Sequence, residues 1–164
     1  MKIIVRLFVA IVFVFASSVG FAASTAETKS EQLADLAEGF RDIPWGTQEK
    51  EAKSFGLNRE NFDRKTKVAV YVRKNEELRF GGIPLLGIQY IFVPRAGFAT
   101  VAFAATPEHA RPLLEECINV LGQPTATSNT TTEWTLAHVD AQYQFQPGTA
   151  PMVFIRPSLS RAIE

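Results

Sequence analysis

Residues 138–146 read HVDAQYQFQ. Val139, Ala141, Tyr143 and Phe145 alternate with Asp140, Gln142, Gln144 and Gln146. Successive side chains on a strand point to opposite faces, so this period of two predicts a half-buried strand. A strand with one apolar and one polar face belongs to a sheet that is covered on one side and wet on the other, which is an antiparallel habit. Working outward, PGTAP (147–151) is a turn and MVFIR (152–156) is a strand that closes the sheet. On the other side, TATSNTTTEW (125–134) begins as a loop and ends as a strand.

Upstream lies a second run of strands. KVAVYVRK (67–74) is rich in β-branched residues, KNEE turns the chain, and ELRF follows before Gly81-Gly82 breaks it. GIQYIFV (87–93) is almost wholly apolar and predicts a central strand covered on both faces. PRAG turns into FATVAFAA (98–105), another strand. This spacing predicts an antiparallel meander.

Each run of strands is preceded by a helix signal. Thr47 has the chemistry of an N-cap, Glu49 lies where the helix dipole favours a carboxylate, and Gly56 suits a left-handed stop. QEKEAKSF therefore predicts a two-turn helix with Ala52 and Phe55 facing inward. The second helix has Thr106 as cap, Pro107 at its first position and an apolar stripe of Leu113, Leu114, Cys117, Ile118 and Leu121. Gly122 and Pro124 stop it, and Pro112 implies that its regular part starts near Arg111. SEQLADLAEGF adds a short helix from Ser30 to Gly39, with Leu33, Ala37 and Phe40 on one face. Strands in runs, separated by helices, define an α+β fold: an antiparallel sheet of about six to seven strands with two main helices. Two successive α-βββ units suggest an internal duplication.

The start of the chain predicts export. Lys2 and Arg6 precede the apolar run Leu7 to Ala16, and small residues stand at Gly20 and Ala22. This is the form of a signal peptide, residues 1–22, with the cut after Ala22. Ten apolar residues fall short of the ~20 needed to span a bilayer, so no stable membrane insertion is expected after cleavage. The divisions are then 23–38, a flexible leader or short helix; 39–158, a single α+β domain; and 159–164, a tail. The expected location is periplasmic or secreted. Cys117 is the only cysteine, so the fold rests on packing rather than on an internal disulfide, and its place on the helix stripe predicts a buried, inert thiol. After cleavage the formal charge is −2, which provides no global footprint for nucleic acid.

FRDIPWGT, FGL, YVRKNEELRFGG, GIQYIFV, VLGQP and the closing EW and YQF segments together resemble a group of small secreted bacterial proteins that open with an F-x-x-I-x-W-G-T element. The resemblance covers most of residues 40–156 and implies export and a fold, not an activity. The repeated α-βββ order is also similar to the β-lactamase-inhibitor-protein-like fold, an analogy of fold only. Those inhibitors carry disulfides that this chain cannot form, so none of their residues is transferred.

Chemistry-bearing patterns are sparse. His138 and Asp140 fall on one strand face and could form a dyad, but two solvated polar residues are the commoner arrangement. No C-x-x-C, H-x-x-x-H, calcium loop or phosphate-cradling loop occurs, so no cofactor or metal is expected. Residues 59–79 hold seven Lys/Arg against four Asp/Glu, whereas residues 26–52 hold seven acidic against three basic. The asymmetry would orient a partner or touch anionic headgroups; charge spread over opposite faces is the simpler expectation. Aromatic and Arg side chains dominate protein interfaces, which makes Trp45, Tyr71, Arg73, Trp134 and Tyr143 the candidate binding surface. The sequence thus predicts an exported, non-enzymatic binding module whose partner is an envelope protein. The alternatives are a domain holding a small apolar ligand or lipid in an aromatic-lined pocket, and a weak hydrolase using His138 and Asp140.

Overall fold

The computed structural model describes residues 33–158. The predicted signal peptide, the leader up to residue 32 and the tail 159–164 lie outside the described residues. Helix α1 covers 33–38 and stops at Gly39, with Leu36 as its buried residue. A two-residue hairpin follows, β1 (Gly39–Phe40) with β2 (Ile43–Pro44). A 3₁₀ helix spans Glu49–Phe55. The strands of the first run are β3 (Leu57–Phe62), β4 (Ala69–Arg73), β7 (Gly87–Val93) and β8 (Gly97–Ala104); the small hairpin β5 (Arg79–Phe80) and β6 (Ile83–Pro84) is inserted between them. A 3₁₀ turn at Pro107–His109 leads into helix α2 (Ala110–Leu121). The second run is β9 (Ala126–Thr127), β10 (Thr131–Thr135), β11 (Val139–Gln144) and β12 (Met152–Pro157).

The main sheet has eight strands in the order β3-β4-β7-β8-β12-β11-β10-β9, and every neighbouring pair is antiparallel. Each half is a four-strand meander preceded by a helical segment. The last strands of the two meanders meet in the middle, pairing Phe103 with Val153 and Val101 with Ile155. The α+β architecture is that expected; the main sheet has eight strands rather than six to seven, with four in each half rather than three.

Register explains which face is buried. Val139, Ala141 and Tyr143 point inward as their alternation requires, in line with Ile155 and Val153 on β12, then Val101 and Phe103 on β8, then Tyr90 and Ile88 on β7. The α2 stripe of Leu113, Cys117, Val120 and Leu121 and the residues Phe40, Ile43 and Ala52 join the same core. Helix α1, the Glu49–Phe55 segment and α2 therefore cover one face. GIQYIFV is central, but it is not covered on both faces: Ile88, Tyr90 and Phe92 are buried, while Gln89 is exposed and Ile91 is partly so. Ile91 is opposite Val70 and Thr100 in the sheet and shares with them a partly shielded outer surface, which is why apolar residues persist there.

Two local expectations are corrected, and one strand is added. QEKEAKSF is not an α-helix: Glu49–Phe55 form a 3₁₀ helix, the tighter form common in short connectors. Gly56 closes it at φ 72°, as predicted. Thr47 does not cap it; Gln48 occupies that position, its N–H donating to the Glu51 carboxylate at 3.0 Å, while the Thr47 hydroxyl donates to the Pro44 carbonyl. The polar stretch LNRENF is strand β3, an edge strand with an irregular register between Arg59 and Asn61. Edge strands protect themselves with charge and bulges, so they lack the pattern of an interior strand. Pro112 sits at the third position of α2, where a backbone N–H has no intrahelical acceptor, so it costs no bond.

Candidate functional site

The WGT segment docks on the edge of a core strand. Gly46 N–H donates to the Phe98 carbonyl at 2.9 Å, and Phe98 N–H returns a bond to Thr47 at 2.8 Å. The Trp45 indole stacks on Phe98 with centroids 4.6 Å apart, and its Nε1 donates to Leu36 at 2.8 Å. Gly97 must be glycine for this approach: its φ is 71°, and a Cβ there would lie 2.4 Å from the Gly46 oxygen. Trp45 is thus partly buried and pins α1 and the following turn to β8.

Beside it lies a charged cluster. The Glu76 side chain is 2% exposed. It accepts from the Tyr90 hydroxyl and from Arg41 Nη1 at 2.6 Å. Arg41 also donates to the carbonyls of Glu77 and Arg79. Burial, then the bond to Glu76, holds the Tyr90 phenol well above its ordinary range. Arg73 lies over the Tyr90 ring, 5.7 Å from its centroid, and pairs with Asp42 at 2.7 Å. Arg59 approaches Glu49 at 3.7 Å. The acidic and basic segments are therefore not spread over opposite faces. Three ion pairs join residues 41–49 to residues 59–76, tying the β1–β2 hairpin and the 3₁₀ helix to the first meander.

The five residues predicted as a binding surface do not share one. Trp134 is 1% exposed and donates through Nε1 to the Gly122 carbonyl at 2.9 Å. Tyr143 is buried, its hydroxyl donating to the Ala110 carbonyl at 2.9 Å. These two bonds fasten the ends of α2 to β10 and β11. Tyr71 is buried, with its hydroxyl on Glu49 at 2.9 Å. Arg73 belongs to the charged cluster, and Trp45 to the WGT dock. Aromatic residue type marks core and interface alike in a domain of this size, and only packing separates the two uses.

Cys117 is fully buried, and burial pushes its thiol up to about 12, which is the opposite of an activated nucleophile. No hydrogen bond joins His138 to Asp140 among the described residues, nor do these residues contain a group of three or more metal-ligating side chains.

The uncovered face of the sheet holds an open groove of about 610 Å³. Thr100, Asp140, Gln142, Phe154 and Arg156 line it from three adjacent strands. Gln144 Nε2 donates to Gln142 at 2.7 Å, and Gln142 Nε2 to Glu133 at 2.9 Å, so the wall is a ladder of aligned amides ending on a carboxylate. Asp140 Oδ2 stands 3.6 Å from Arg156 Nε, too far for a hydrogen bond. Its Oδ1 is buried with no hydrogen-bond partner. A carboxylate oxygen in that state favours any donor brought to it. The alternation of 138–146 pointed Asp140, Gln142 and Gln144 outward together, but Thr100, Phe154 and Arg156 join them only through the strand order.

Fold and site together define an α+β protein with a half-covered antiparallel sheet and a polar groove on its open side. No protein-family model, curated protein or solved structure matches the chain. Among the described residues, no helix is long and apolar enough to cross a membrane.

Proposed function

We propose that the protein is an exported binding module of the bacterial cell envelope, and that its contact surface is the open face of the sheet. The single observation that carries this reading is the groove at Asp140, where a buried carboxylate oxygen lacks a donor beside an organised amide ladder. The signal-peptide pattern at residues 1–22 supports the location. A protein partner suits a surface that runs over several strands and is open along one side. Asp140 faces Arg156, and the amides face one another, an arrangement suited to recognition rather than to bond breaking.

The test places a photo-crosslinking residue at Thr100 or Gln142, with a third variant at Asn119 on the exposed side of α2. In the envelope fraction, the first two positions should trap the same discrete partner and Asn119 should not. Equal trapping at all three positions, or none at Thr100 and Gln142, overturns the reading. The volume of the groove also favours a second reading, a small polar ligand with N–H donors, for which Asp140→Asn should abolish binding while leaving the fold intact.

A further inference from the structure

The charge asymmetry of the chain is only partly consumed by internal pairing. Of the seven Lys/Arg in residues 59–79, Arg59 and Arg73 face acidic partners. Arg64, Lys65 and Lys67 take part in none of the ion pairs of the described residues and stand together, exposed, on the turn between β3 and β4. This turn is well formed. Asp63 accepts from Lys65 N–H at 2.8 Å and from the Thr66 hydroxyl at 2.7 Å, and its backbone exchanges bonds with Lys67 and Val68. The Asp63 carboxylate is thereby held within the loop, and its pKa is lowered, first by Thr66 and then by the Lys65 N–H. Glu60, the other nearby acid, accepts from Gln89. Phe62 lies at the base of the turn, partly exposed, between Arg59 at 5.3 Å and Lys67 at 6.0 Å from its ring centroid.

We propose that this hairpin tip docks the protein on an anionic bilayer surface, with Arg64, Lys65 and Lys67 against lipid phosphates and Phe62 at the headgroup level. Three observations select a bilayer. The tip is an exposed turn, residues 63–67, that lies outside the groove at Asp140, so it suits a plane better than a shaped partner. It combines flexible cations with a partly exposed ring, the pairing that interfacial anchors use. Finally, charge runs along the sheet. The tip is on the edge pair β3–β4, whereas residues 105–145, which build α2 and the far strands, hold five Asp/Glu and one Arg. An extended negative surface would orient such a molecule tip first. Docking at the tip leaves the groove free, so this inference is independent of the binding reading above.

The mature chain is mixed with vesicles of phosphatidylglycerol and phosphatidylcholine, or of phosphatidylcholine alone, and the sedimented fraction is measured. Binding should appear only with the anionic vesicles and fall steeply as salt is raised. The triple variant Arg64→Gln, Lys65→Gln, Lys67→Asn removes the cations; Asn suits position 67, where φ is 61°. Each lost cation should weaken partitioning about fivefold, so that the triple variant loses on the order of a hundredfold. A second variant, Lys50→Gln, Lys74→Gln, Arg111→Gln, loses the same charge away from the tip, Lys74 lying at the opposite end of the β3–β4 pair, and should bind within about twofold of the parent if local rather than net charge governs adsorption. Circular dichroism and urea midpoints check that both variants fold. Absence of binding to anionic vesicles at low salt, or equal losses in the two variants, overturns the proposal. So does complete competition by inorganic phosphate, which would assign the tip to a free anion. Tip-dependent capture of an acidic protein, with no vesicle binding, would overturn it in favour of a protein contact.

Discussion

The two halves of the sheet are closed over the same core by different means. Over β10, β11 and β12, helix α2 lays down an apolar stripe, and two aromatic hydrogen bonds, Trp134 to Gly122 and Tyr143 to Ala110, fasten its ends. Over β4, β7 and β8, the cover is short: a one-turn helix, a two-residue hairpin and a 3₁₀ segment. Such pieces bury too little apolar surface to hold themselves, and charge supplies the difference through Arg41–Glu76, Arg73–Asp42 and the bond from Tyr90 to Glu76. A long amphipathic helix docks by shape, whereas short segments must be tied at points. The half under α2 should therefore unfold through lost packing, and the half under the short segments through lost partners.

The largest effect should come from the packed half. Trp134→Ala removes a fully buried indole and its bond to Gly122, and should cost about 4 kcal/mol in urea unfolding. A loss under about 1 kcal/mol would mean that α2 is not held by packing. In the tied half, Glu76→Gln leaves Arg41 without its counter-charge in a partly buried site and should cost about 2–3 kcal/mol. Hydrogen exchange should localise the change: the amides of Gly46 and Phe98 should exchange faster, while those of α2 should not.

The thiol tests the packed half in another way. Folding raises the Cys117 pKa from its ordinary 9.0 to about 12. Above pH 9 the unfolded chain gives up this proton and the folded chain keeps it, so alkali favours unfolding. The contribution is intact below pH 9 and should have fallen by about 1.4 kcal/mol at pH 10, continuing until the folded thiol titrates. Cys117→Ala should remove that part of the alkaline slope, and the native thiol should resist alkylation at neutral pH. Trp45→Phe keeps the stack on Phe98 but leaves Leu36 without its donor, and should cost about 1 kcal/mol. The smallest effect belongs to Arg59→Gln. Its pair with Glu49 is exposed and 3.7 Å long, so a change below about 0.5 kcal/mol in the urea midpoint is expected. A larger loss would extend the electrostatic ties to the sheet edge.

The strands that could be read in advance were those with a covered face. In 139–144 and 152–156 the apolar positions recur because an interior must be filled at every second residue, and the structure buries Val139, Ala141, Tyr143, Val153 and Ile155 accordingly. Strand β3 escaped that reading because an edge strand is shaped by solvent and carries Asn58, Arg59 and Glu60 in succession. The run GIQYIFV revealed a strand but not how many of its faces are covered, since a partly shielded outer surface tolerates Ile91 as well as a buried one does. The aromatic residues misled for a related reason. A Trp in a loop beside a glycine has the same composition whether it meets a partner or stacks on Phe98.

The sequence alone determined the alternation that places one face of each interior strand in the core, the stripe that makes α2 a cover, and the turns that keep the strands antiparallel. These are local matters, set by spacing along the chain. Tertiary structure decided the rest. It set the acidic segment against the basic one, carried Trp134, Tyr143 and Tyr71 into the core, and brought Asp140, Arg156, Phe154 and Thr100 together from three strands. A site of that kind depends on strand order and register, and those follow from how separate segments share one core.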